Sequence, residues 1–268
     1  MLRSLIFGFL IFSAMLLTAK DPSVMIIPFN PDMYFSDSDQ ELAKYNSKSI
    51  PEVRKMFRYG LSINMNARIM QEYSSRSMIS DSAKDAQKDL AGIYNSIGYF
   101  EDKAKSVQVK EEMESNEKGL VEKTKGLFSR KKGEQESQES KQDNNIGDDY
   151  KKFINVKIKN PDLLPYLSDK YGTDVFVFIN QFNLKTNYEH CLDRATNTFE
   201  REVLVHFSIF DKEGNQLAGD VATVYFPSNS NDLMDIMRNN FPPISDFLAA
   251  NLPQKDDGVM AKDYMEVK

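Results

Sequence analysis

The stretch Tyr171–His190, "YGTDVFVFINQFNLKTNYEH", decides how this chain folds. Val175 to Ile179 is apolar at every position, so neither face of that segment can look at water. It reads as a central strand covered on both sides, the hallmark of an α/β sheet. From Phe182 on, the pattern changes to alternation. Phe182, Leu184, Thr186 and Tyr188 point one way, and Gln181, Asn183, Lys185 and Asn187 the other. One strand therefore starts inside the core and runs out to a half-exposed end. Gly172, just before it, is placed to stop a short helix over Asp162–Lys170.

The same reasoning works outward in both directions. Val24 to Phe29 is a second apolar run, with Pro28 confined to its end because proline donates no ladder hydrogen bond. Ser49 stands three residues before Glu52 and Pro51 lies between them. That pattern opens a long helix with a capping box. Val53, Met56, Phe57, Gly60, Leu61 and Asn64 form its inner stripe, and Gly60 marks a close approach to a neighbour. "RSMIS" reads as a short strand. A second helix, capped by Asp81 or Ser82, carries Ala86, Leu90, Ile93, Tyr94 and Ile97 on one face. Ile154–Ile158 is a strand. Glu200–Phe210 and Gln216–Phe226 are two more, joined by a turn through Gly214–Asn215. A last helix begins near Ser230 and is expected to be interrupted at Pro242 and Pro243. The order is β-α-(β)-α, a charged insertion, then β-α-β-β-β-α. This predicts an α/β sandwich: a mixed sheet ending in an antiparallel meander, with helices mainly on one face.

Composition bounds the function. The chain has 268 residues, with 34 Lys+Arg against 40 Asp+Glu. A net charge of −6 and no long basic stripe argue against a nucleic-acid partner. Cys191 is the single cysteine, so packing and not disulfides must hold the fold. The N-terminus, "MLRSLIFGFLIFSAMLLTAK", has Arg3 before an apolar core, Leu5 to Leu17, and small residues at Thr18–Ala19. It reads as residues 1–19 of an export signal cleaved near Ala19, with an uncleaved anchor as the alternative. Residues 20–100 and 151–254 make the two halves of one domain, and 255–268 a flexible tail. Residues 101–150, dense in charge and poor in apolar residues, are expected to be disordered or loosely helical. Within them, 119–133 mixes Leu120, Val121, Leu127 and Phe128 with lysines and Arg130, a pattern that can touch an anionic membrane surface peripherally.

Several constellations could carry chemistry. Asp32, Asp37, Asp39 and Glu41 follow the first strand, and acidic loop 32–41 could bind a metal or small ligand or serve an enzyme. The spacing does not match a calcium loop, since glycine is missing at the sixth place and glutamate at the twelfth. A solvated loop that caps a short helix accounts for the same residues. His190 and Cys191 are neighbours whose side chains diverge on an extended chain, which suits neither zinc nor a Cys–His pair. His206 reads as a half-exposed sheet residue. There is no Gly-rich phosphate loop, nucleophile elbow or H-E-x-x-H pattern. No catalytic residue, cofactor or metal is therefore assigned, and the chain reads as non-enzymatic.

The strand ending "IIPF", the segment "LSDKYGTDVFVFINQF" and the turn Asp211-Lys212-Glu213-Gly214 resemble a periplasmic module. It is found in the N-terminal domain of the Tol-system translocation protein and in the curli-secretion lipoprotein. The likeness rests on Tyr171-Gly172-Thr173-Asp174 and on the D-x-x-G turn, and spans roughly residues 23–98 and 151–252. "IPFNPDMYFSDSDQ" and "YGTDVFVFINQ" also look like an uncharacterised family of exported Bacteroidota proteins. The resemblance implies a periplasmic or envelope-associated protein acting through contacts with another envelope protein in assembly or secretion. The chain lacks the lipidated cysteine of the curli lipoprotein. The surface expected to meet a partner is the open edge of the meander with the exit loop of the first strand: Tyr34, Phe35, Asn180, Phe182, Leu184 and Tyr188.

Overall fold

A computed structural model describes residues 22–79, 84–103 and 152–254, which all lie in one compact unit. The export signal, the tail 255–268, the helix cap at Asp81 or Ser82 and the 119–133 stretch lie outside the described residues.

The fold is a mixed α/β sandwich. Among the described residues there are eight strands: β1 (Ser23–Ile27), β2 (Tyr34–Ser36), β3 (Ser74–Ser77), β4 (Ile97–Lys103), β5 (Lys152–Ile158), β6 (Val175–Asp193), β7 (Thr198–Asp211) and β8 (Gln216–Pro227). Five helices accompany them: α1 (Asp39–Tyr45), α2 (Ile50–Ile69), α3 (Lys84–Ser96), α4 (Leu163–Tyr171) and α5 (Leu233–Ala250). Six strands form the main sheet, in the order β3-β1-β6-β7-β8, with β2 also on β6. β1 runs parallel to β3 and β6, while β6, β7 and β8 form an antiparallel meander. Strands from before and after the charged stretch thus share one sheet.

Alternation along the strands sorts side chains into two cores. Val24, Ile26, Val177, Ile179, Val205 and Phe207 face α1, α2 and α5, the last two being the long helices. Met25, Ile27, Phe176, Phe178 and Phe210 face the shorter helices α3 and α4 and the ribbon β4–β5. The capping box Ser49–Glu52 starts α2 as expected, and Gly172, at φ 65°, ends α4 in the left-handed region. A Cβ on Gly60 would stand 2.4 Å from the Met237 sulfur, so α2 and α5 touch there.

Two expectations are corrected. Pro242 and Pro243 do not interrupt the last helix, which runs unbroken from Leu233 to Ala250. Both prolines are exposed, and so are Arg238 and Asn239, whose carbonyls lose their intrahelical partners to those prolines. Water can satisfy those carbonyls, and the buried stripe Leu233, Ile236, Phe241, Ile244, Leu248 keeps its phase. The charged insertion also begins later than residue 101. Glu101, Asp102 and Lys103 finish β4, in register with Ile154, Phe153 and Lys152. Cross-strand pairing, including a 2.9 Å Lys152–Glu101 ion pair, orders residues whose composition alone reads as loop.

The ribbon fits the sheet because of Gly219. A Cβ there would lie 2.5 Å from the Phe153 ring, which is itself buried. Gly219→Ala should therefore lose about 1–3 kcal/mol in urea unfolding through overpacking. Gly60→Ala should lose less, because the flexible Met237 side chain can yield and alanine gains about 1 kcal/mol of helix propensity. A Gly219→Ala protein as stable as the parent would contradict the seating of Phe153.

Candidate functional site

The exit loop of β1 does not stay a loop. After a single 3-10 turn, Pro31–Met33, it returns to the sheet as β2 and pairs with β6 in parallel, Tyr34 opposite Phe182 and Ser36 opposite Leu184. Asp37 extends the seal: its amide donates to the Leu184 carbonyl, and its carboxylate accepts from the Thr186 amide at 2.8 Å. The meander edge expected to be open is closed by the chain itself as far as Thr186.

This changes the expected partner surface. Tyr34, Asn180, Phe182 and Leu184 are buried and cannot meet a partner. Phe182 sits in an aromatic stack with Phe29, Tyr34 and Phe57, its ring only 4° from parallel to that of Tyr34. Phe35 and Tyr188 remain accessible, at 48% and 68% exposure. Tyr188 packs edge-on against Phe199 where β6 and β7 run on toward their turn.

Of the acidic residues of loop 32–41, Asp37, Asp39 and Glu41 are each held separately. Asp32 is exposed on the 3-10 turn. Asp37 holds β6, as above. Asp39 is buried and accepts from the Tyr34 hydroxyl at 2.6 Å and from Arg54 Nε at 2.7 Å. Glu41 accepts from Arg201 Nη2 and Asn231 Nδ2, both at 2.9 Å. These carboxylates staple β2, α1, α2, β6 and β7 together. Among the described residues, no group of three His, Cys, Asp or Glu side chains is placed to hold a metal ion. His190 pairs with Glu200 at 3.0 Å, and Cys191 is a partly exposed free thiol.

Burial first, then the hydrogen bond to Asp39, hold the Tyr34 phenol far above its usual range. Burial also raises the Tyr94 phenol, to about 12, where it donates to the Pro28 carbonyl and accepts from Arg58.

Two buried polar groupings were not anticipated. Arg201 is 1% exposed and joins Glu41 to Asn231. It shares the strand phase of Val203, Val205 and Phe207, so a cation on the apolar phase of β7 was the available signal. The second lies between the sheet and the ribbon. Asn155 Oδ1 accepts from the Ser208 hydroxyl at 2.6 Å, and Asn180 Nδ2 donates to Ser208 Oγ and to the Ile154 carbonyl, both at 2.7 Å. His206 belongs here and is buried at 7% exposure, not half-exposed, because β5 lies over it.

Beyond this cluster the same face of the sheet is open. Phe35, Asn183, Leu204 and Thr223 lie side by side in register, followed two residues on by Lys185, Glu202 and Tyr225. Tyr225 is 59% exposed. The result is a mixed surface in which exposed Phe35 and Tyr225 and half-buried Leu204 alternate with Asn183, Thr223, Lys185 and Glu202.

No model of a known protein family matches this chain, and no curated protein or solved structure matches it either.

Tyr34→Phe removes a donor from buried Asp39 and should cost about 1.5–3 kcal/mol near neutral pH, measured by urea unfolding. The protonated Tyr34 phenol contributes stability that is complete below its unfolded-state value of about 10 and is lost as pH rises above it. Tyr34→Phe should therefore lose less stability than the parent on going to strongly alkaline pH. Equal alkaline slopes would contradict the assignment.

Proposed function

We propose that this protein is an exported, non-enzymatic α/β module of the bacterial cell envelope that works by binding another envelope protein. The observation that carries the reading is the open sheet face of Phe35, Leu204 and Tyr225. Two large exposed aromatics flank a half-buried leucine, with Lys185 and Glu202 alongside. Exposed aromatics beside a leucine, set among polar side chains, suit protein recognition. The acidic loop, the main candidate for ligand chemistry, is engaged in holding strands and helices together, which favours a binding role for the module over a reaction. The apolar run Leu5–Leu17 behind Arg3 supports export. The likeness to envelope modules of the Tol and curli systems supports assembly or secretion as the setting.

The expected partner surface thus moves from the meander edge to the sheet face and keeps Phe35, whereas Tyr188 lies on the opposite phase of β6, against Phe199. A photocrosslinking residue placed at Phe35 or Tyr225 in the native envelope should yield one discrete protein adduct. Leu204→Asp in the same chain should abolish it, and a probe at exposed Met234 on α5 should not give it. Absence of an adduct at both positions, or recovery of the chain in the cytoplasm alone, would overturn the proposal.

A further inference from the structure

The ribbon β4–β5 is attached to the main sheet in two different ways. Its inner half is held by apolar contact: Ile97 and Val156 are buried with Phe176, Phe178 and Phe210. Its outer half is seated by the buried Phe153 ring and the Asn155 side chain, and side chains of the sheet also reach up and take the backbone of Ile154 between them. The Ile154 amide donates to His206 Nδ1 at 3.0 Å, and its carbonyl accepts from Asn180 Nδ2 at 2.7 Å. A strand backbone bonded across a sheet face by one histidine and one asparagine is a latch, not a ladder.

The histidine bond has a chemical condition. Nδ1 can accept an amide hydrogen only when it carries no proton of its own. The ring must then be the neutral form with its hydrogen on Nε2, and the Asn183 amide 3.4 Å away must turn its oxygen, not its NH2 group, toward that hydrogen. A proton on Nδ1 would place two N–H groups against each other and leave the Ile154 amide without its acceptor.

We propose that His206 is a proton-sensitive latch that holds the Ile154 backbone of the β4–β5 ribbon against the sheet and lets go of it in acid. The latched state cannot take a proton at Nδ1 without losing the Ile154 bond, whereas a released, hydrated imidazole titrates near 6.5. Opening therefore takes up a proton, and lower pH favours it. The groups facing His206 include Gln181 and Asn183 from β6, Val221 from β8 and Ile154 from β5. The charged groups on the surrounding elements include Glu101, Asp102 and Lys103 on β4; Lys152, paired with Glu101, and Lys157 on β5; Asp220 on β8; Glu202 on β7; and Lys185 on β6. Release would free the Ile154 backbone alone, because Phe153 stays seated against Gly219 and Asn155 stays bonded to Ser208, Gln216 and Asp102.

Nitrogen-15 NMR of the full chain tests this. At about pH 7.5 the His206 ring should show its hydrogen on Nε2. Protection of the Ile154 amide, corrected for intrinsic exchange, should then fall roughly tenfold for each pH unit below about 6.5, while amides of β7 hold theirs. His206→Asn keeps an acceptor oxygen near the Nδ1 position but cannot titrate, so its Ile154 protection should be flat with pH. A hydrogen on Nδ1 at neutral pH, Ile154 protection unchanged down to about pH 5, or the same loss in His206→Asn would each overturn the latch.

Discussion

Everything in this fold depends on β6 being covered twice. A strand whose side chains are apolar on both faces cannot exist at a surface, so Val175–Ile179 forces one layer above it and another below. The first layer is the long-helix pair α2 and α5; the second is α3, α4 and the ribbon. Each neighbour of β6 then follows from its unmet backbone groups. β1 takes one edge at the start of the strand and β7 takes the other. Where β1 ends, β2 takes over, and the aromatic stack about Phe182 fills the space that this exchange opens.

The exit loop of β1 illustrates how a local reading and a tertiary constraint divide the work. Its prolines, aromatics and carboxylates look like a loop bringing acid groups to a site. In the fold, Tyr34 enters the core and hands its hydroxyl to Asp39, Asp37 caps the edge of β6, and Glu41 meets a buried Arg201. Charged groups at such positions are stable because each is matched. Removing one partner would leave a buried polar group unpaired, which costs more than the pair gains. The cluster is therefore a set of joints around the lower end of the sheet.

The order of most elements along the chain, the helix positions and most of the inner face were legible in the sequence, because periodicities of 2 and 3.6 are local properties. The capping box at Ser49, the helix stop at Gly172 and the turn at Gly214 were legible for the same reason. The role of β2 was not: three residues are too few to show alternation, and their pairing depends on an edge left open by a distant strand. Asn180, Ser208 and His206 looked like the polar end of a strand because their cover, β5, arrives from elsewhere in the chain. Pro242 and Pro243 looked like a break because sequence does not reveal which side of the helix meets water. The open face of Phe35, Leu204 and Tyr225 also needs three strands in register before it exists.

The claim that β6 organises the molecule, with Phe182 as a core residue and Phe35 as a surface one, is tested most directly by equilibrium urea unfolding of two variants. Phe182→Ala should lose about 3–5 kcal/mol, the usual cost of emptying a packed aromatic site, while Phe35→Ala should stay within about 0.5 kcal/mol of the parent. A small loss for Phe182→Ala, or a larger loss for Phe35→Ala, would contradict the account.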